Sequence, residues 1–546
     1  MLFQSQLKER GQYRMVGTYA VATMTACLIL SLHFFVSPLR PLPDQGWMLQ
    51  AAIRQSRGEG LTTQMNGESL DLANPDFSRL VYFPPGYPTL ISAMLRAGFD
   101  VEMSVKVVSA VALLTGVVGW LVLALPLLRK RALRLLYCTL LVLTCGGIIV
   151  KGGTTDLIFW AGVPWWVLCL ARARLEQGGS RNRLMSVAGI IAAILITVRW
   201  SALFFAPTAI AAIAIPLRRR IRDLIGTAVA ATLVALPTIA VYFGLGAINR
   251  HHMPNANFLS FVKPGWHPQY LLTLYPFESL LTIPLGLASL LDRVWRSIDP
   301  TMNSLWGAGI FRVALPIMLV SSVVASARRA RSIEPLPHIT GSILLVVAVV
   351  SLALIAFLAW MALRYNWDFV DWSFLSEPRY YRPFLPAFLL GWLVLFDRFT
   401  PAPLLWRTGV ALLAFSGIYL SQAAARAEWS ALRTHDESLE IVAKVRGLTA
   451  NPGLNLVFDI DISDYIIHPE PNLLASNYVS ETDVPRVYVS QPATLWLVRR
   501  VSETTAYLLD RNRDQRAFEA FRDRFGLTLN WRSTRGNYEI WAAPVP

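Results

Sequence analysis

The sequence predicts a polytopic α-helical membrane protein of about eleven transmembrane helices, followed by a C-terminal soluble α/β domain, and three observations carry that prediction. Hydrophobic residues make up 54% of the 546 residues and charged residues only 16%, against about 25% charged in a globular protein. Apolar runs of roughly 17–25 residues recur, the length that crosses about 30 Å of hydrocarbon as a helix. Beyond residue 422 the pattern changes to short alternating runs separated by polar turns. Disorder and a disulfide-stapled secreted domain are excluded at this stage, since Cys27, Cys138, Cys145 and Cys169 all lie in apolar stretches.

Spans are expected near 15–37, 104–128, 132–150, 157–173, 184–198, 201–217, 224–248, 308–327, 336–363, 383–397 and 405–422. The first is too long for the apolar core of a cleavable signal peptide and is followed by further spans. Basic clusters fix the orientation. Lys8, Arg10 and Arg14 precede the first span, and Arg129, Lys130 and Arg131 follow the second. Arg172, Arg174, Arg181 and Arg183 follow the fourth, Arg218, Arg219, Arg220 and Arg222 the sixth, and Arg328, Arg329 and Arg331 the eighth. All fall on one side if the N-terminus is cytoplasmic, as the positive-inside rule requires of a plasma (inner) membrane protein. Eleven spans then leave the C-terminus outside. The net charge of +15 divides accordingly, with 14 Lys+Arg against 16 Asp+Glu from residue 421 onward and a net of +17 before it. The excess is orientation charge on cytoplasmic loops and implies no nucleic-acid partner.

Three external loops are too long for simple connectors: about 38–103, 249–307 and 364–382. The chain therefore divides into a membrane core, 1–422, and an extracytoplasmic soluble domain, 423–546. The latter opens with the charged helical stretch RAEWSALRTHDESLEIVAKVRG. Strand-like runs follow (LNLVFDID, PRVYVS, TAYLLD, LTLNWR, NYEIWAA), with a helix at QRAFEAFRDRFG. No internal repeat is visible, which speaks against an inverted-repeat transporter.

The first external loop opens PLRPLPDQGWMLQAAIRQSRGEGLT. Asp44 stands just past the first span, ahead of an amphipathic pattern that sets Trp47, Met48, Ala51 and Ala52 on one side, as in a helix lying on the membrane surface. Asp44 has two readings, a helix cap and a carboxylate held at the water–lipid boundary. Further on, SRLVYFPPGYPTLISAML sets Tyr82 and Tyr87 around a rigid proline–glycine turn, either an interfacial aromatic belt or a platform for a sugar.

These two segments resemble the polyprenyl-phosphate-sugar-dependent glycosyltransferases of the GT-C fold, in the style of the dolichyl-phosphate-mannose–protein mannosyltransferases and the bacterial aminoarabinose transferases. ILITVRWSALFFAP, which holds Arg199, and EPRYYRPFLPAFLL are similar to the same superfamily, so the resemblance covers about 20–400 in layout. It implies a GT-C-like fold and a polyprenyl-phosphate-linked sugar as donor. The acceptor would be an extracytoplasmic glycan, lipid or protein, and the acidic residue of the first external loop, here Asp44, the general base.

Such a transfer needs a base for the acceptor hydroxyl and cations for the departing phosphate. The external side offers Arg250, His251, His252, Lys263 and His267 in NRHHMPNANFLSFVKPGWHPQY, and Arg379 and Arg382 interleaved with Tyr380 and Tyr381 in EPRYYRP. The Arg379/Arg382 pair leads, because a guanidinium grips phosphate with two parallel bonds; the alternative for each cation is a snorkelling interface residue. Asp156, in KGGTTDLIFW, is either a second site carboxylate or a helix cap. Arg199, between two apolar spans, must be paired or face water and is a functional candidate on that ground.

The histidines have no metal-ligand spacing and read as solvated loop residues. No cofactor is required. A divalent cation is the one that the alternating carboxylates Asp459, Asp461 and Asp464 could take up, with polar strand-end residues as the plainer reading. No phosphate-binding glycine loop, dinucleotide fingerprint or nucleophile elbow appears, as suits a donor already activated on a lipid. The competing reading, a transporter or flippase of a lipid-linked or small polar substrate, calls for ionisable residues at mid-span, and this chain holds its charges at span ends. A membrane scaffold whose tail binds a partner is the third possibility.

Overall fold

Long runs of Leu, Val, Ala and Trp without caps or breaks have one stable outcome in hydrocarbon, the helix, because each backbone group is satisfied within its own segment. The computed structural model describes residues 18–29, 43–63, 71–74, 78–80, 83–151, 154–199, 202, 221–250, 262–266, 338–367, 382–398, 440–441, 443–445, 447–448, 453–459, 473–474, 486–501, 511–536 and 538–546. Its contacts divide into two units. One comprises Met1–Phe34, Val108–Ile248 and Pro254–Arg426, the other Phe35–Val107, Asn249–Met253 and Ala427–Pro546. The first external loop, expected to go with the spans, thus falls in one unit with the tail.

The helical unit holds α1 (Thr18–Ile29), most of α4 (Val101–Ala124), α5 (Arg131–Lys151), α6 (Thr154–Ala173), α7 (Gly178–Val198), α8 (Ile221–Arg250), α9 (His338–Arg364) and α10 (Leu385–Arg398). Among the described residues, three helices are long and apolar enough to cross a membrane: Val101–Ala124, Thr155–Ala173 and Gly178–Val198. The spans expected near 201–217, 308–327 and 405–422 lie outside the described residues. Helix α6 is the central element. Phe159, Trp160, Val163, Trp166, Leu170 and Ala171 form a wide buried face on it, whereas α7 turns an apolar stripe of Val187, Ile190 and Ile194 outward at helical spacing.

Glycines set how closely these helices approach. A Cβ on Gly119 of α4 would stand 2.7 Å from Pro164 Cγ and 2.8 Å from Trp165 Nε1 of α6, and one on Gly116 would run into the Trp160 ring. On α6, a Cβ on Gly162 would stand 2.6 Å from Leu195 Cδ2 of α7, and on α7, one on Gly189 would stand 2.6 Å from the Leu233 carbonyl oxygen of α8. Each helix therefore offers its neighbour a glycine notch, the packing mode of helices that gain nothing from a water-driven hydrophobic effect.

Polar contacts tie helix ends. At one end of this unit, Asp397 of α10 accepts from the backbone N–H of Arg129 (2.6 Å) and of Lys130 (3.3 Å), which covers the turn between α4 and α5. Arg134 donates to the Leu128 carbonyl (2.6 Å), and Ser342 at the start of α9 donates to the Ala171 carbonyl at the end of α6 (2.9 Å). All five helix ends are those that the alternating spans assign to the cytoplasmic side.

In the other unit, α2 (Pro43–Ser56) and α3 (Gly86–Arg96) pack together, joined through the short antiparallel pair β1 (Thr62–Thr63) and β2 (Ser78–Arg79). The amphipathic pattern expected of α2 understates its burial. Leu49 and Ile53 are covered along with Trp47, Met48, Ala51 and Ala52, so the helix is packed into protein rather than laid on a surface. Seven residues with six apolar side chains span more than one face, and a single stripe cannot contain them. The exit RGEGLT turns through Gly58 and Gly60 at φ +87° and +79°, conformations that a side chain would oppose.

The tail forms a five-stranded sheet in the order β6-β5-β7-β9-β8. Its strands are β5 (Asn455–Asp459), β6 (Leu473–Leu474), β7 (Ala493–Arg500), β8 (Thr528–Arg532) and β9 (Tyr538–Val545). The β6/β5 and β5/β7 pairings are parallel and the β7/β9 and β9/β8 pairings antiparallel. Helix α11 (Arg511–Phe525) covers one face with Phe518 and Phe521, against Leu456, Leu495 and Leu497. It stops at Gly526, whose φ of +63° lets Leu527 N–H reach the Arg522 carbonyl at 3.0 Å. Ile441, Val445 and Leu448 cover the other face, against Val457, Trp496 and Val498. Two sequence expectations change here. PRVYVS forms no strand of its own, only an isolated bridge from Tyr488 to Asp71, and the central strand is ATLWLVRR, buried on both faces. TAYLLD lies outside the described residues.

The Asp71 bridge belongs to a polar clasp. Asp71 accepts from the backbone N–H of Ala73 and of Ser490 (both 3.0 Å) and from Asn74 Nδ2 (2.8 Å). Burial alone would push its carboxyl up, but the hydrogen bonds from Ser490, Asn74 and Ala73 outweigh it and hold the group below its ordinary value.

Two predictions follow from this packing. Gly189→Ala lowers the thermal midpoint of the detergent-solubilised chain, because its Cβ meets backbone, by about 1–3 kcal/mol of stability. Gly179→Ala, where nothing lies within 4 Å, leaves the midpoint unchanged or raised. For Asp71 the folded value is depressed, so its contribution is complete above the unfolded carboxyl value of about 3.9 and is lost as pH falls below that. A stability-against-pH curve should therefore show the wild type converging on Asp71→Asn as pH drops below about 4, and parallel curves would refute the clasp's charge dependence.

Candidate functional site

Helices α6 and α7 run antiparallel through the short connection Arg174–Gln177, so the start of one lies beside the end of the other. Asp156 stands in the first turn of α6, where free backbone N–H groups favour a carboxylate. Arg199 follows the last residue of α7 in extended conformation, with its N–H bonded to the Leu195 carbonyl at 2.8 Å. The two side chains form a salt bridge, Arg199 Nη1 to Asp156 Oδ1, with side-chain exposures of 13% and 7%. The sequence nominated both residues separately, one as a possible cap and the other as a cation needing a partner. The structure makes each the partner of the other, at the end opposite the Asp397 contact.

Asp44 lies in the first turn of α2, the second residue of the helix. The face below it is fixed by Gln45, Trp47 and Met48, all buried, with Trp47 tilted against Phe83 at 6.2 Å between ring centroids. Tyr87 is fully buried at the start of α3. Arg96 of α3 donates to the Gln55 carbonyl at 2.6 Å, locking the far end of that helix pair.

The second and third external loops meet in one short antiparallel ladder, β3 (Val262–Pro264) with β4 (Tyr365–Trp367), in which Lys263 lies opposite Asn366. Trp266, just after β3, is 65% exposed. Arg250 is the last residue of α8, and Arg382 opens the turn Arg382–Phe384 that leads into α10. Tyr82, His251, His252, His267, Arg379, Tyr380 and Tyr381 lie outside the described residues, as do Asp461 and Asp464. Asp459 closes β5. Among the described residues no three His, Cys, Asp or Glu side chains stand together as a metal site would need.

One candidate escaped the sequence reading, the Asp71-Leu72-Ala73-Asn74 segment. Its signal was available, an Asp two residues before an apolar–polar step that can form a side-chain turn. What it contacts, 419 residues away, was not.

No family model and no curated protein matches this chain. Among solved structures it is similar to ArnT from Cupriavidus metallidurans in the apo state, at 12% identity and TM-score 0.40, over 96% of this chain and 98% of that one. It is similar also to the same protein bound to undecaprenyl phosphate, at 13% identity, TM-score 0.40 and the same coverage.

The salt bridge makes a prediction of its own. Asp156→Asn and Arg199→Gln each leave one charge stranded near hydrocarbon and should each cost roughly 3–5 kcal/mol, while the double substitution costs less than either. Thermal midpoints of the three variants in detergent test this, and additive losses would show that the residues act independently.

Proposed function

We propose that this chain is an integral membrane glycosyltransferase that moves a sugar from a polyprenyl-phosphate donor to an extracytoplasmic acceptor, with Asp44 as general base. The observation that carries the reading is the place of Asp44, in the first turn of the next described helix after the first apolar one, with the residues that follow it buried. Proton transfer needs a base carried on backbone that keeps its position while substrates come and go, and the start of a packed helix supplies such backbone. The acceptor oxygen attacks the anomeric carbon as the bond from that carbon to the phosphate oxygen breaks. Asp44 takes the hydroxyl proton, the polyprenyl phosphate leaves with the bonding pair, and a single displacement inverts the anomeric configuration.

The departing phosphate needs cations. Arg379 and Arg382, with Tyr380, remain the leading pair, with Lys263, His251 and His252 as further donors from the facing loop. The joining of those two loops by β3 and β4 supports the grouping of Lys263 with the segment after α9. The reading places the chain in the inner membrane with its N-terminus cytoplasmic and about eleven spans. The helix-end contacts at Asp397, Ser342 and the Asp156–Arg199 pair accord with that alternation. It requires no nucleotide and no resident metal; a divalent cation near the phosphate is an addition that EDTA would reveal. The transporter alternative gains nothing from the described helices, where the buried charges Lys106, Arg134, Asp156 and Asp397 all sit near helix ends.

The decisive variant is Asp44→Asn, because Asn caps a helix as well as Asp does but cannot accept the proton. In lipid nanodiscs, with a panel of undecaprenyl-phosphate-linked sugars and with or without EDTA, Asp44→Asn should release undecaprenyl phosphate about 10²–10⁴ times more slowly at an unchanged thermal midpoint. Equal rates would leave the residue as a cap alone.

A further inference from the structure

The strands β1 and β2 close a loop whose two arms rest on the α2–α3 pair and whose middle enters the core of the sheet. On α2, Gln50 Oε1 accepts from Thr63 Oγ1 (2.8 Å), and Arg54 donates to Thr62 Oγ1 (2.7 Å) and pairs with Glu59 (2.9 Å). The returning arm is tied by Leu80 N–H to the Leu61 carbonyl (2.9 Å) and carries on to Phe83, against Trp47. At the far end, Leu72 is buried among Leu456, Leu495, Leu497, Phe518 and Phe521, and its N–H donates to the Tyr488 carbonyl at 2.9 Å. Asn74 Nδ2 bridges Asp71 and Ser490 Oγ, at 2.8 Å to each. Arg524 of α11 grips the neighbouring Val487 carbonyl with two nitrogens, at 2.8 and 2.5 Å.

Covering the sheet core would need only the apolar side chain of Leu72. The buried carboxylate beside it adds direction: two donors from its own turn, Ala73 and Asn74, and one from a distant segment, Ser490, must be aligned at once, and bonds to a charged group are sensitive to that geometry. We infer that Asp71–Asn74 is a latch by which the sheet domain holds the α2–α3 pair, and that Asp71 is a positioning residue for Asp44 at the head of α2. The tail thereby takes part in transfer without touching the sugar. The inference rests on the reading of Asp44 as the base.

The test uses the full chain in nanodiscs, with its four native cysteines replaced by alanine and spin labels on Arg57→Cys and Asn530→Cys, both exposed positions on α2's exit and on β8. Asp71→Ala should broaden the label–label distance distribution. The exchange Asp71→Asn with Asn74→Asp, which restores donor against acceptor, should narrow it again. Leu72→Ala, which removes packing but keeps the clasp, should lower the thermal midpoint and leave the distances sharp. With any undecaprenyl-phosphate sugar that the wild type turns over, Asp71→Ala should lower kcat about 10–100-fold at little-changed KM, and the exchanged pair should recover it. Sharp distances in Asp71→Ala overturn the latch, and broadened distances with an unchanged kcat overturn the positioning role. A fully active Asp44→Asn removes the base assignment, and a wild type inert toward every donor sinks the transferase reading; either result leaves the latch to be decided by the distances.

Discussion

A charge at the edge of hydrocarbon must be neutralised or reach water, and the helical unit depends on how it meets that requirement. Asp156 and Arg199 neutralise each other across the start of α6 and the end of α7. Removing the pair from either side would leave the most enclosed helix of the unit beginning with a stranded charge. At the opposite end, Asp397 accepts from two backbone N–H groups, charge-assisted hydrogen bonds that need no counter-ion. The two ends thus solve one electrostatic problem in two ways.

Between those ends the packing is set by absence of side chains. Gly116 and Gly119 admit Trp160, Pro164 and Trp165, while Gly162 and Gly189 carry the same close approach onward to α7 and α8. Large aromatic residues fill what the glycines open: Trp120 and Trp160 meet at 6.3 Å between ring centroids, and Phe159 meets Phe384 edge-on at 5.7 Å. Lipid-facing positions need only be apolar, which is why Val187, Ile190 and Ile194 can be exposed without penalty. The ion pair and the glycines are coupled through α6, since any shift of that helix against α7 moves Asp156 relative to Arg199.

Much of this was legible in the sequence where periodicity and charge speak locally. The helices near 104–128, 157–173 and 184–198 followed from apolar run length, and β5, β8, β9 and α11 from alternation and helical spacing. What escaped was set by contacts between distant segments. ATLWLVRR is buried on both faces, so it shows a continuous apolar run rather than the alternation of a half-exposed strand, and it passed unnoticed. PRVYVS has the alternation but finds only Asp71 as a partner. The ion pair was half legible: composition demanded a partner for Arg199, and only the fold could say that it was Asp156. Nothing in the loop sequence could announce that Leu72 belongs to the core of a domain more than 380 residues away.

The pairing of Arg199 bears on which cations can serve a phosphate. A guanidinium that already holds a carboxylate presents a neutral pair to an arriving phosphate, and the anion would have to displace or protonate Asp156 to claim it. A cation whose role is to stabilise charge that develops only as the anomeric bond breaks should be preorganised and uncommitted beforehand. By that criterion Arg199 is better suited to hold the wall of a site than to receive the leaving group. The burden then falls on the cations of the second and third external loops, which β3 and β4 bring into one ladder. In the topology read from the sequence, most of the positive charge that dominates the composition falls on the other side. The few cations left for chemistry are those that orientation did not use.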